Sequence, residues 1–264
     1  MTDQAAVTEH QEPPVITERR ERVLVVTLNR PDQRNAVNAG VAQGIAAALD
    51  TLDADRELSV GVVTGAGGYF CAGMDLKAFA AGETPWVDGS GFAGITERTS
   101  DKPLIAAVEG FAVAGGLEIA LACDLIVAAQ GAKLGIPEVK RSLVAAGGGL
   151  LRLPRMIPRN VANELALTGD PITAERGYEL GLVNRVTEPG QTLQAALELA
   201  AAIAANGPLG LAGSKRILRE SADWPQAEAF ARQRPIWEPI FASEDAREGA
   251  TAFAEKRAPV WRGK

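Results

Sequence analysis

The stretch GFAVAGGLEIALAC, residues 110–123, is small, apolar and glycine-rich, yet it carries one charge, Glu118. Carboxylates are seldom fully buried unless they are paired or put to use. Twenty residues further on, IPEV carries a second one, Glu138, again flanked by apolar residues. Gly115 and Gly116 precede Glu118 at an expected helix start. Glycine lets a ligand come close to the backbone. The unpaired N–H groups of a helix N-terminus, with the helix dipole, favour an anion. Glu118 would then lie in the first turn beside an anion site, the layout needed to enolise a thioester. Local sequence also fits a plainer arrangement. Glu118 would be a helix-start acid at a solvent-facing edge, and Glu138 a surface partner of Lys140 or Arg141.

Other chemistries can be set aside in turn. The run VVTGAGGYFCAGMDL, residues 62–76, is glycine-rich after a strand, but Phe70 stands where G-x-G-x-x-G needs its third glycine. Neither tyrosine has a lysine four residues on: Gly73 follows Tyr69 and Leu182 follows Tyr178, against a short-chain dehydrogenase. No G-x-S-x-G elbow occurs, and GPLGLAGSKR lacks the order of a P-loop. The single histidine, His10, lies in the N-terminal stretch, which argues against a Ser-His triad and a His-based metal site. Acid–base work falls to carboxylates, lysines or tyrosines, and a glutamate pair is the most economical candidate.

With 264 residues, 47% of them hydrophobic, the chain can pack one large domain or a domain with an appendage. A net charge of −6 argues against a nucleic-acid partner. Cys71 and Cys123, the only cysteines, form no disulfide framework or zinc set, so a cytoplasmic location is expected. MTDQAAVTEHQEPP lacks the basic start and apolar run of a signal peptide and reads as a mobile tail. No apolar run reaches membrane-spanning length, so no membrane partner is expected.

The elements that must position the glutamates follow from periodicity. RVLVVTLNRP, LSVGVVTGA, LIAAVEG and DLIVAA read as strands, residues 38–54 as a helix, and Glu118 to Cys123 as a short buried helix. Strands alternating with helices predict an α/β fold. Beyond about residue 155 the pattern turns helical. LQAALELAAAIA places Leu193, Ala196, Leu197 and Ala200 on one face, and helical signals continue through 208–220, 226–241 and 244–256. No internal repeat is evident. Residues 79–100, rich in Gly, Pro and Ser, suggest a mobile loop or lid.

The motifs NRPDQRNAV, FCAGMDL, AVEGFAVAGGLEIALACDLIVAA, LGIPEVK, AAGGGLLRLPR, ALTGDPITAERGYELGLVNRV and SEDAREGATAFAEKRAPVWRGK occur in that order, between Thr17 and the C-terminus. Together they resemble the crotonase superfamily of enoyl-CoA hydratases and isomerases. The resemblance implies an α/β spiral of β-β-α turns followed by a C-terminal helical region that drives homotrimer formation, often as a dimer of trimers. Residues 1–14 are then the tail, 15–205 the spiral catalytic core and 206–264 the helical region. It also implies an acyl-CoA thioester substrate and no metal or redox cofactor, coenzyme A being part of the substrate.

By the same resemblance, the backbone N–H groups of Met74 and Gly115 form an oxyanion hole. Glu118 deprotonates the water that attacks the β-carbon, and Glu138 delivers a proton to the α-carbon. Asn35, Ala36, Ala72, Asp75 and Leu76 surround the adenine and pantetheine of CoA, and Lys256 meets its phosphates. Ala114 stands where many members have a third glycine, a change expected to cost little. The loop VKRSLVAAGGGLLRL lacks the proline and threonine of short-chain hydratases, and its GGxLRLP run is similar to carnitinyl-CoA dehydratase-like members. Trp86 and Phe92 either shape the acyl pocket or only pack their loop. Reversible hydration of a 2-enoyl-CoA is the reading that follows. The alternatives are a carnitinyl-CoA-type dehydratase, an isomerase, which can work with one carboxylate, and a non-catalytic acyl-CoA-binding relative, which loss of a glutamate would signal.

Overall fold

The computed structural model describes residues 12–264; residues 1–11 of the expected tail, His10 among them, lie outside the described residues. The strands Val15–Arg20, Val23–Leu28, Val60–Gly65, Leu104–Val108, Leu125–Ala129 and Arg185–Thr187 form a six-stranded sheet in that spatial order. From Val23–Leu28 onward every neighbour is parallel, and Val15–Arg20 pairs antiparallel at the edge. That edge strand escapes a periodicity search because VITERR is half charged and largely exposed, as suits an edge that should not recruit another strand.

The inner strands are near-continuous apolar runs because both faces are covered. Val23, Val60, Val62, Ile105, Ala107 and Val127 face one way and pack with Ala196, Ala200 and Ala204 of the helix Thr192–Ala204. Their neighbours Leu24, Val26, Val63, Ala106, Val108 and Ile126 face the main core. The helix Ala39–Ala54 covers that side, opened by Asn38, whose side chain accepts from the Val41 N–H at 3.0 Å. Such a cap stabilises a helix by about 1 kcal/mol.

A structural repeat is present although the sequence shows none. Val60–Gly65, Leu104–Val108 and Leu125–Ala129 each leave the large sheet. Each next contributes to a second layer: the Cys71 bridge to Ala112, then the strands Phe111–Val113 and Lys133–Gly135. Each then enters a helix: Leu76–Ala80, Gly115–Ala122 and the 3-10 turn Pro137–Arg141. The three β-β-α turns stack, so equivalent points of each turn come together. Second-layer strands of three residues are too short for alternation to betray them.

The segment expected to be mobile is only partly so placed. Its first half is largely exposed, but residues 90–96 are buried, and Phe92 and Ile95 belong to the core. The C-terminal helices Pro208–Glu220, Ala229–Phe241 and Glu244–Glu255 bury few side chains, Ile236 and Ala252 among them. The end of the chain is tied back: the Asp245 carboxylate accepts from the N–H groups of Arg262 and Gly263 at 2.8 Å each, and Trp261 Nε1 donates to the Ala205 carbonyl at 2.8 Å. No single helix among the described residues is long and apolar enough to cross a membrane.

Candidate active site

The stacked turns bring Met74, Gly115 and Glu138 to one level, each where a second-layer strand gives way to its helix. The Met74 loop is clamped by Val37, whose N–H donates to the Gly73 carbonyl at 2.8 Å and whose carbonyl accepts from the Asp75 N–H at 2.9 Å. Gly73 has φ +91, and a Cβ there would stand 2.7 Å from the Ala114 Cβ and 3.0 Å from the Gly115 nitrogen. The two loops therefore pack together, and glycine alone permits it. A Cβ on Gly115 would run into the Phe92 ring. The N–H groups of Met74 and Gly115 donate to no acceptor among the described residues. These two neighbouring donors remain available for an oxyanion.

Ala114 caps this helix with φ +53 and ψ −131. A residue with a Cβ is strained there. The expectation that alanine costs little at this position is thus corrected.

Glu118 is 3% exposed, which removes the solvent-edge arrangement. Its Oε1 accepts from the Gly149 N–H at 2.9 Å. A Cβ on Gly147 would lie 2.7 Å from Oε2, and one on Gly149 would lie 3.1 Å from Oε1. The glycines of AAGGG thus cradle this carboxylate. Burial raises the Glu118 carboxyl above its ordinary value, opposed by the N–H groups of Gly149 and Gly147 and by the charge of Arg152.

Glu138 opens the 3-10 turn after Pro137 and is half-buried. Its Oε2 is buried with no hydrogen-bond partner. Lys140 pairs with Asp170 instead, so the surface ion pair with Lys140 does not form. Burial pushes the Glu138 carboxyl up to about 7; repulsion from Glu118 adds to this, while its own backbone N–H and the Arg141 charge oppose it.

Both carboxylates, Met74 and Gly115 line one cavity of about 620 Å³. Ala72 and Leu76 join them, with Phe79, Trp86, Phe92, Leu143 and Val144 making the wall apolar. Trp86 and Phe92 meet edge to face at 5.2 Å, so they pack their loop and line the cavity at once. The other expected CoA residues divide. Ala36 and Asp75 line an adjoining, more polar hollow that shares Met74 and Leu76 with the first. Asp75 caps the helix Leu76–Ala80 and pairs with Arg30 at 2.9 Å. Asn35 is buried in the wall: its side chain accepts from the Arg30 N–H and donates to the Ala66 and Tyr69 carbonyls. Lys256 is exposed at the end of the helix Glu244–Glu255 and lines neither hollow. Sequence reasoning missed Arg34 and Lys133, cations on the cavity wall, and the glycine cradle, whose only signal is the GGG run itself.

A spiral of β-β-α turns with an apolar cavity at the level where the turns meet is the crotonase fold. The sequence comparisons agree: the chain belongs to the enoyl-CoA hydratase/isomerase family, whose profile matches residues 18–264. It is 48% identical over 255 residues to enoyl-CoA hydratase EchA19 of Mycobacterium tuberculosis, covering 94% of this chain and 96% of that protein. Carnitinyl-CoA dehydratase of Salmonella typhi is 42% identical over 250 residues, covering 92% and 95% respectively. Among solved structures, an enoyl-CoA hydratase from M. tuberculosis H37Rv superposes with a TM-score of 0.94 at 60% identity, over 96% of this chain and 100% of that one.

Proposed function

We propose that this protein is an enoyl-CoA hydratase, adding water reversibly across the double bond of a 2-enoyl-CoA. One observation carries the reading: two carboxylates and two unpaired backbone N–H groups converge on one apolar cavity, and one carboxylate has a buried oxygen with no partner. The thioester carbonyl accepts from the Met74 and Gly115 N–H groups. Glu118, ionised and held by Gly149, takes a proton from water as the water oxygen bonds to the β-carbon. The double-bond electrons move onto the thioester oxygen as an enolate. Glu138, protonated, gives its proton to the α-carbon as the enolate collapses. A carboxyl near 7 suits that donor at neutral pH. Each N–H is worth roughly 10²–10³ in rate. Water supplies the hydroxyl and gives its proton to Glu118, Glu138 supplies the α-carbon proton, and exchange with solvent resets the pair, so the step calls on no cofactor beyond the CoA of the substrate.

The wall of Trp86, Phe92, Leu143 and Val144 favours an apolar acyl group, and the hollow beside Asp75 suits the rest of the CoA moiety. Kinship to carnitinyl-CoA dehydratases supports a second reading, dehydration of a hydroxyacyl-CoA on the same residues in reverse. Exposed Phe230, Phe241 and Phe253 at 80%, 75% and 86% support assembly through the helical region, and the family resemblance makes the assembly a homotrimer or a dimer of trimers, which light scattering would measure. A metabolic enzyme of this kind would work in the cytoplasm.

The test is loss of the enoyl-thioester absorbance with crotonyl-CoA and a longer 2-enoyl-CoA. Turnover by the wild type, with Glu118→Gln and Glu138→Gln each slower by roughly 10²–10⁴ and still binding ligand, is expected. Near-full turnover by either variant would refute the assignment.

A further inference from the structure

Behind Glu118 stands a cation that none of the steps above uses. Arg152 lies in the helix Gly149–Met156, one turn after the N–H that holds Glu118. Its guanidinium is half-buried and its hydrogen bonds go to two backbone carbonyls, Gly147 at 3.3 Å and Thr96. A half-buried arginine ordinarily finds a carboxylate, because desolvating its charge is costly. This one lies so close to Gly148 that a Cβ there would collide with Nη1. Gly147 belongs to the cradle of Glu118, and Thr96 to the buried segment whose Phe92 ring closes over Gly115. One planar fork therefore joins the support of the base to the support of the oxyanion hole.

The charged groups around it are few. Glu118 is faced by Arg152 from this helix and by Glu138 across the cavity. Arg152 in turn faces Glu118, the Cys123 thiol and Glu97. Cys123 is neutral, since burial pushes its thiol up to about 12. We propose that Arg152 is a positioning residue for Glu118: its two-carbonyl fork fixes the Gly147–Gly149 loop, and with it the N–H that holds the carboxylate, against residues 90–96. Its charge acts in the same direction, opposing the rise that burial imposes on the Glu118 carboxyl. Lysine cannot replace it fully, because a single ammonium carries the charge without the planar two-carbonyl fork.

The kinetic half of this inference rests on the hydratase reading; the electrostatic half does not. The experiment therefore follows the carboxyl signal of Glu118 by infrared titration, assigned with Glu118→Gln, beside kcat and KM across pH. In Arg152→Gln the Glu118 midpoint should rise, because both the charge and the support of the Gly147 and Gly149 N–H groups that hold it down are lost. The acid limb of kcat should move with it, with kcat lower by roughly ten- to a hundredfold and KM little changed. Arg152→Lys should leave the midpoint near wild type yet still lose kcat. An unmoved midpoint in Arg152→Gln overturns the proposal, whatever happens to kcat. Should Arg152→Gln fail to fold, Arg152→Lys decides, and wild-type kcat there overturns it. If the wild type hydrates no enoyl-CoA, the proposed function fails while the midpoint shift still supports the role of Arg152.

Discussion

Glu138→Gln keeps the shape of the side chain and removes its charge, so it reads how much the folded protein strains against that charge. In the folded chain burial lifts the carboxyl from an ordinary 4.5 to about 7. The native state therefore holds this proton more tightly than the unfolded chain does. Between 4.5 and about 7 stability falls as pH rises, and it stays lowered above that window. The full difference corresponds to about 3 kcal/mol. Partial exposure of Glu138 reduces this to about 2 kcal/mol. The amide variant lacks the penalty. Thermal melts of both proteins at about pH 5 and about pH 8.5 separate the charge effect from any packing change, which is common to both pH values. The gain in Tm should be larger at the higher pH by roughly 4–8 °C. The variant would then be more stable and nearly inactive, as expected where a catalytic group is held against its preference. An equal change in Tm at both pH values would refute the reasoning, because the ionised carboxylate would then be at ease in the cavity.

Two further substitutions probe the scaffold. Gly147→Ala places a Cβ 2.7 Å from Glu118 Oε2 and 3.3 Å from the Phe92 Cβ, so the base must shift. Steady-state kinetics should show kcat lower by about 10² with little change in KM, and a wild-type kcat would contradict the cradle. Ala114→Gly relieves the backbone at φ +53. Relief of about 1–3 kcal/mol, less about 0.5–1 kcal/mol for the freer unfolded glycine, should leave a net gain of about 1 kcal/mol in denaturant unfolding. A less stable variant would show that the alanine is not strained.

The sequence by itself determined the α/β class, the main strands from Val23 to Ala129, the helix after Asn38 and the two glutamates as candidates. These are properties of short windows: β-branched apolar runs, an apolar helix face and charges in apolar surroundings. The ordered motifs added the family and Met74 and Gly115 as candidate oxyanion donors. What Glu118 and Glu138 do with their charges was not legible in any window. Glu118 as an edge acid and Glu118 in a cavity have the same neighbours in sequence. Only the stacked turns, which seat Gly147–Gly149 against it across some thirty residues, remove it from solvent. Lys140 is only two positions from Glu138, yet tertiary packing turns it to Asp170 and leaves Glu138 Oε2 without a partner. Residues 90–96 look like a loop by composition, but the core claims Phe92 and Ile95. Local sequence sets which conformations and charges are available; desolvation and long-range packing depend on what the rest of the chain brings alongside, and those decide which carboxylates leave the solvent and how tightly each holds its proton.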